Sequence, residues 1–538
     1  MAQEVYMPIL DEIIATLDHE KREGNDLIGI CYFTTKPAEE VIEGPFVRAI
    51  DVFSRLKQLI EDTEKELLIC LHQFQSESPG AKDILDGIHH LKSKADKEHK
   101  TISVYIIINH QTPSKYFSED QPQKSVTDEM NLVALNSDYF KIQFAYHKSV
   151  LFGSTHARLV ARDNLEVAIL TGDPTNSSTD GENACIEVAT LCKDSHLCEG
   201  IRNHFDKLWK DATDKTLSTV ENTNLFLQTH SAPANVVYLG KNPINRPYTN
   251  YHSPYKIALL VLLNQAKKNA NVMISHLNDP DILNALLQCI NRGVTVCLIV
   301  EPYRGQTAGS LPFAGQSNME SVQFLLKKIS PTHRGHLNLH HDFKEDQLTS
   351  SIRDETIYAN IVIVDNSYVL TGSSFMDKQS LRSGESDVLF LSSKLAKEYQ
   401  GKIFEPLFNK KHLANNINVS QMISREQIKS LTESASSIMD ITHILNLFIM
   451  WREQEKETHK SYGQFSHLWK ETCLTREEKI LAAKELLAVV MGQIPQHTLE
   501  NYHYHNEGLL KDIYRTYQRI LTTPEVNATP KKMSTDRF

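Results

Sequence analysis

One short run holds most of the residues whose types and spacing could do chemistry. Residues 154–164 read STHARLVARDN, placing His156 two residues before Arg158 and Asp163 five residues further on. The run 172–178, GDPTNSS, follows shortly afterwards. On a strand, residues two apart project to the same side. His156 and Arg158 therefore enter one space, and Leu159 and Ala161 face the other way. Asp163-Asn164 begins a turn, 167–171 (VAILT) returns as the next strand, and the loop beyond it offers backbone N–H groups with Thr, Asn and Ser donors. An imidazole can attack phosphorus, and a fixed cation with neutral donors can stabilise the equatorial oxygens. This is equipment for handling a phosphate.

A site built from two halves should occur twice, and the chain repeats itself. Residues 66–74 (ELLICLHQF), 81–95 (AKDILDGIHHLKSKA) and 101–109 (TISVYIIIN) read as strand, helix, strand. So do 271–277 (NVMISHL), 280–293 (PDILNALLQCINRG) and 294–300 (VTVCLIV). The strands are short apolar runs suited to burial on both faces of a parallel sheet. Each helix has DIL near its start and apolar residues three and four apart. The partner of the opening run is 356–375 (TIYANIVIVDNSYVLTGSSF). Asp365 lies 202 residues after Asp163, Gly372 lies 200 after Gly172, and Val272 lies 205 after Leu67.

With its repeat, the motif resembles the phospholipase D superfamily, whose signature is HxKxxxxD followed by a G-S-x-N loop, present twice in a duplicated α/β chain. The resemblance runs over roughly residues 45–410. It implies a duplicated α/β sandwich forming a pseudo-dimer, with the cleft on the pseudo-twofold axis. It also implies a phosphohistidine mechanism in which one motif histidine attacks phosphorus. The other protonates the leaving group and then activates water or an alcohol, with no metal or cofactor in the core chemistry. Members include phospholipases, phosphatidylserine and cardiolipin synthases, nucleases and tyrosyl-DNA phosphodiesterases.

Carried onto this sequence, the resemblance makes His156 the nucleophile and Arg158 the phosphate clamp, with Asp163 completing the motif. Arg158 stands where the family has lysine, and its planar fork is not equivalent to an ammonium. In the second copy Tyr358 replaces the histidine, Asn360 the lysine, and Phe375 the loop asparagine, while Asp365 and Ser373 remain. Tyr358 could protonate a leaving alkoxide but is a poor base near neutrality, its ordinary pKa being about 10. Asn176, Ser177, Asn360, Ser373 and Ser374 are expected to bind phosphate or substrate. Asp163 and Asp365 read as structural, fixing a turn or neutralising a cation. Glu182 and Glu385 could orient the histidine or its replacement. His147 and His340-His341 could supply a missing imidazole, although surface histidines are the plainer reading. The cluster 333–343 (HRGHLNLHHDF) lacks a second ligand set, so no metal is expected.

Five segments follow from these patterns: a first repeat with an N-terminal extension (1–211), a polar linker or excursion (212–250), a degenerate second repeat (251–415), a helical region (420–522) and a disordered tail (523–538). The N-terminal helix and strand are expected to attach to the first repeat. Helices are expected over 425–436, 440–456 and 476–491, the first and third opened by capping boxes at Ser424 and Thr475. These helices could bind a protein partner, and packing on the body of the protein is their default. The formal net charge of -10 disfavours a broad nucleic-acid surface. The eight scattered cysteines suit buried thiols. The longest apolar runs, 257–263 and 444–451, fall far short of the about 20 residues of a membrane span. The N-terminal residues lack a signal-peptide pattern. A cytoplasmic or membrane-peripheral protein is expected, acting on a phospholipid or other phosphodiester. The alternatives are a scaffold that binds a phosphorylated ligand without turnover, and a nuclease.

Overall fold

A computed structural model of the protein describes residues 7–22, 29–110, 132–148, 155–175, 186–213, 215, 217, 234–243, 253–300, 317–340, 359–378, 380, 383–408, 425–454, 476–491 and 508–522. Two compact units divide the chain, 1–417 and 418–538.

The first unit is mixed α/β, and its strands fall into two sheets of matching topology. The first sheet contains β2 (Ile42–Val47), β3 (Glu66–Leu71), β4 (Ile102–His110), β5 (Phe140–Lys148), β6 (Leu159–Arg162), β7 (Glu166–Leu170) and β8 (Val188–Cys192), in the order β2-β8-β7-β6-β3-β4-β5. The second contains β1 (Ile30–Thr34), β9 (Val236–Lys241), β10 (Asn269–Ile274), β11 (Thr295–Val300), β12 (Leu337–His340), β13 (Ile361–Val364), β14 (Tyr368–Gly372) and β15 (Glu385–Leu391), in the order β1-β9-β15-β14-β13-β10-β11-β12. Apart from the added edge strand β1, the orders correspond one for one. In each, three strands run parallel and the rest pair antiparallel.

Burial on both faces explains the unbroken apolar runs. Leu67, Ile69 and Leu71 of β3 join the core beneath helices 49–61 and 79–98, whereas Leu68 and Cys70 turn to the opposite face. That second core is continuous across both sheets, with Ile361, Ile363 and Val388 of the second sheet meeting Leu159, Ala161 and Val167 of the first. Helix starts are set by side-chain caps followed by proline: Ser78-Pro79, Ser253-Pro254 and Asp279-Pro280.

The two central hairpins share one register, Ala161 opposite Val167 and Ile363 opposite Val369. Asp163 and Asp365 occupy the same place in each turn, with φ of 53° and 52°. Aspartate tolerates this left-handed conformation better than most residues. The Asp163 carboxylate accepts the backbone N–H groups of Glu64, Lys65 and Glu66. Asp365 does the same for Lys267, Lys268 and Asn269. Each aspartate thus ties its hairpin to the start of the neighbouring parallel strand.

Several elements differ from expectation. The N-terminal strand β1 pairs with β9, so the extension completes the second sheet rather than the first. The region 212–250 contains β9, which is buried along its whole length and so shows no alternation to mark it. Strand β6 begins at Leu159, so His156 and Arg158 lie in the segment leading into it. The glycines are also not equivalent. The Thr171 hydroxyl accepts the N–H of Val188 as the Ser373 hydroxyl accepts that of Ser386. Gly172 therefore matches Ser374, and Asp173 matches Phe375.

In the second unit, helices Arg425–Ser434, Ile438–Gln454, Arg476–Val490 and Gly508–Thr522 pack around Ile428, Ile441, Leu445, Phe448, Leu486 and Ile513. The apolar positions Leu509, Ile513, Tyr517 and Ile520 recur at helical spacing. Ser437 and Asp440 cap each other at the second helix start. Ser424, Thr475 and the tail 523–538 lie outside the described residues. Among the described residues, no helix is long and apolar enough to cross a membrane.

Candidate active site

The two copies exchange backbone bonds where the motif enters the sheet. The His156 N–H donates to the Gly384 carbonyl at 2.7 Å, and the Ala359 N–H to the Ile186 carbonyl at 2.9 Å. The Arg158 N–H donates to the Ser386 hydroxyl at 3.1 Å. These bonds hold the His156 segment of the first copy against the start of β15 in the second.

The His156 side chain is 13% exposed, and its Nδ1 lies 3.7 Å from Glu385 Oε1. That is too long for a hydrogen bond, and Nδ1 has no hydrogen-bond partner among the described residues. Burial holds the imidazole well below its ordinary pKa, with His72, Arg158, His276 and Lys241 adding to the effect. At neutral pH it is uncharged, as an attacking nitrogen must be. Arg158 Nε donates to Asp173 Oδ2 at 2.8 Å, and its Nη1 is buried without a hydrogen-bond partner among the described residues. Burial works against this charge, but Asp173, with Glu385 and Glu187 beyond it, raises the guanidinium pKa overall. Asp173 Oδ1 also accepts the backbone N–H groups of His72 and Gln73.

Glu385 is held from both sides. Ser373 donates to its Oε2 at 2.5 Å and Ser380 to its Oε1 at 2.7 Å. Ser374 donates to Asp387 through both its hydroxyl, 2.6 Å, and its N–H, 3.0 Å. The hydroxyls of Ser373 and Ser374 are thus turned onto carboxyl groups. Asn360 Nδ2 points at the Gly372 carbonyl, 3.4 Å away. Gly372 (φ 154°) lies against the backbone of Ser386 and Asp387, and a Cβ there would come within 2.4 Å of the Ser386 oxygen. A Cβ on Gly172 would enter the Glu187 carboxylate at 1.9 Å. Glu187 takes the place in the first copy that Glu385 takes in the second. Glu182, Asn176, Ser177 and Tyr358 lie outside the described residues.

Burial, and after it the neighbouring Asp387, pushes Glu385 up to about 8, and burial pushes Asp387 up to about 7. A carboxyl whose folded pKa exceeds its unfolded value binds its proton more tightly in the folded state. Its stabilisation is complete below the unfolded pKa and is lost as pH climbs to the folded one. The pair therefore lowers stability as pH rises from their ordinary values of 4.5 and 3.8 to about 8 and about 7. Glu385→Gln keeps an acceptor and a donor without this titration. Chemical denaturation at several pH values between about 5 and 8 should show the variant gaining on the wild type as pH rises. A difference independent of pH would contradict a protonated Glu385.

Two histidines at the site escaped the motif-based reading. His72 and His276 directly follow or nearly follow the central strands β3 and β10, whose C-terminal ends are where parallel sheets present ligand-binding groups. The His72 ring lies 4.0 Å from that of His156, centroid to centroid. Its Nδ1 is 3.0 Å from the Thr155 carbonyl, and burial lowers its pKa. Phe375 packs against His156 at 6.2 Å and against His276 at 5.1 Å. The signal was present in both central segments, ELLICLHQF and NVMISHL, each of which carries a histidine at its end. His147 is buried at the end of β5, opposite Asn109. Among the described residues no group of three or more His, Cys, Asp or Glu side chains is placed to hold a metal ion.

The family model described as cardiolipin synthase, PLD-like domain, matches residues 259–407. Among solved structures, the fold is similar to phosphatidylserine synthase from Haemophilus influenzae Rd KW20, with a TM-score of 0.51 and 13% identity over 78% of this chain and 96% of that one. Polyphosphate kinase from Porphyromonas gingivalis (TM-score 0.39, 10% identity, 66% of this chain and 46% of that one) also matches. So does Nuc, a phospholipase D family member from Salmonella typhimurium (TM-score 0.22, 22% identity, 29% and 86%). At those scores the last two likenesses say nothing of the fold. A search of curated protein sequences finds nothing that matches. Residues 259–407 thus match a phospholipase D-like domain model, and the fold of the chain is similar to that of a phosphatidylserine synthase.

Proposed function

We propose that the site around His156 cleaves a phosphodiester, by hydrolysis or by phosphatidyl transfer, with a phospholipid as substrate. His156 attacks phosphorus through Nε2, its Nδ1 being turned to Glu385. Arg158 holds a nonbridging oxygen, and Ser373 and Ser380 position Glu385. The observation that carries this reading is that His156 Nδ1, without a hydrogen-bond partner among the described residues, lies 3.7 Å from Glu385 Oε1. That carboxyl also acts electrostatically on Arg158, whose Nη1 is likewise without a partner among the described residues. The likeness to a phosphatidylserine synthase and the cardiolipin synthase description of the matching family model support a lipid substrate.

A scaffold that binds a phosphorylated group without turnover is the second reading. It is favoured by Asn360, whose amide is turned onto a carbonyl, and by Phe375, an apolar ring in the loop facing His156. The two are separated by assaying bis(p-nitrophenyl) phosphate, mixed phospholipid vesicles and single-stranded DNA in chelator, with wild type beside His156→Ala. Release that vanishes in the variant supports the enzyme, and the substrate consumed names its class. No release by wild type from any of the three points to the scaffold.

A further inference from the structure

We propose that His276, backed by Asp377, is the general acid and base of the reaction, in the role left empty where Tyr358 replaces the second motif's histidine. This rests on the phosphodiesterase reading above. Phosphoryl transfer through a histidine has two steps, and each moves a proton at an oxygen. His156 Nε2 forms a bond to phosphorus while the P–O bond to the leaving group breaks, and the departing oxygen needs a proton. Water or an alcohol then loses a proton as its oxygen attacks phosphorus, and the P–N bond breaks to return the electron pair to His156. One group that first gives and then takes a proton balances both steps.

His276 meets the structural requirements for that group. It comes from the second copy, two residues beyond the C-terminal end of the central strand β10 and on the other side of Phe375 from His156. Its Nδ1 lies 3.6 Å from Asp377 Oδ2, and its side chain is 23% exposed, so a substrate can reach it. The adjacent carboxylate stabilises the imidazolium that donates in the first step and is regenerated in the second. Both His276 and His156 pack on Phe375, and His276 is among the groups that act electrostatically on His156. Phe375 thereby becomes a spacer between two reacting imidazoles. His72, the other nearby ring, is a weaker choice. It comes from the same copy as His156, its Nδ1 rests on the Thr155 carbonyl, and burial disfavours its charged form.

Ethyl p-nitrophenyl phosphate and ethyl phenyl phosphate differ only in leaving group, and only the second requires a proton to depart well. His276→Gln is expected to slow phenol release by about 10²-fold or more. From the nitrophenyl ester it should still release a burst of about one equivalent, followed by slow turnover as the phosphohistidine waits for a base. His156→Ala should show neither burst nor turnover. An equal slowing of the first product release from both esters in His276→Gln, with no burst from the nitrophenyl ester, would reduce it to a structural role and overturn the proposal. The same leaving-group pattern in His72→Gln, but not in His276→Gln, would overturn it in favour of His72. If wild type releases neither product, the phosphodiesterase reading fails and this inference fails with it.

Discussion

Turnover by His156→Ala is expected to fall by about 10⁴-fold or more, with the fold intact. On the proposed mechanism, removing the group that would bond to phosphorus removes the covalent route, and the neighbouring His72 ring rests its Nδ1 on the Thr155 carbonyl. The structural cost should be small, within about 1–2 kcal/mol. His156 Nδ1 has no hydrogen-bond partner among the described residues, and the Glu385 oxygens keep their donors Ser373 and Ser380. The backbone bond from His156 to Gly384 survives the substitution. Activity is read with the substrate that wild type consumes, and stability by urea denaturation. A variant that keeps a tenth of wild-type turnover would remove His156 from the chemistry.

Arg158→Met should act first on the fold. The Arg158 side chain is 4% exposed and its Nε bonds to Asp173, itself buried. Methionine fills much of the same space but leaves the Asp173 carboxylate without its cation, which typically costs about 3–5 kcal/mol. The two backbone N–H groups from His72 and Gln73 remain on Asp173 and favour the lower end of that range. Arg158→Met with Asp173→Asn should recover a large part of the loss, because the stranded charge is gone. It should not recover turnover, because the phosphate clamp is gone too. Denaturation of the four proteins in a double-mutant cycle measures the coupling. Coupling near zero would show that the pair contributes little, and turnover restored in the double variant would deny Arg158 its role on phosphate.

The duplication was legible because β3, β4, β10 and β11 are largely buried on both faces and therefore read as apolar runs that recur in the same order around a helix. Asp163 and Asp365 were legible because a turn that needs a left-handed residue and a carboxylate leaves a fixed mark on the sequence. The structure adds what they bind, three backbone N–H groups each. Strand β9 was hidden in a polar stretch because six fully buried residues carry no alternation. The swap of β1 into the second sheet could not be read at all, since pairing across more than two hundred residues leaves no local pattern. Within the site, glycines guided the alignment of the loops and misled it by two residues. The hydrogen bonds of Thr171 and Ser373, rather than the glycines, mark equivalent positions. Hence Asp173 was not recognised as the partner of Arg158, nor Glu187 as the counterpart of Glu385. His72 and His276 were overlooked because they belong to the ends of the core strands and not to the motif.

The central claim is that His156 is the atom-for-atom partner of phosphorus, and a covalent adduct on it is the most direct test. Protein mixed with a slowly hydrolysed nitrophenyl phosphodiester would be quenched in base, where a phosphorus–nitrogen bond to histidine persists, and digested for mass spectrometry. The added phosphoryl ester mass is expected on the peptide containing His156, absent from His156→Ala and discharged on longer incubation of wild type. Product release without any adduct, or an adduct on a different residue that still forms in His156→Ala, would contradict the account.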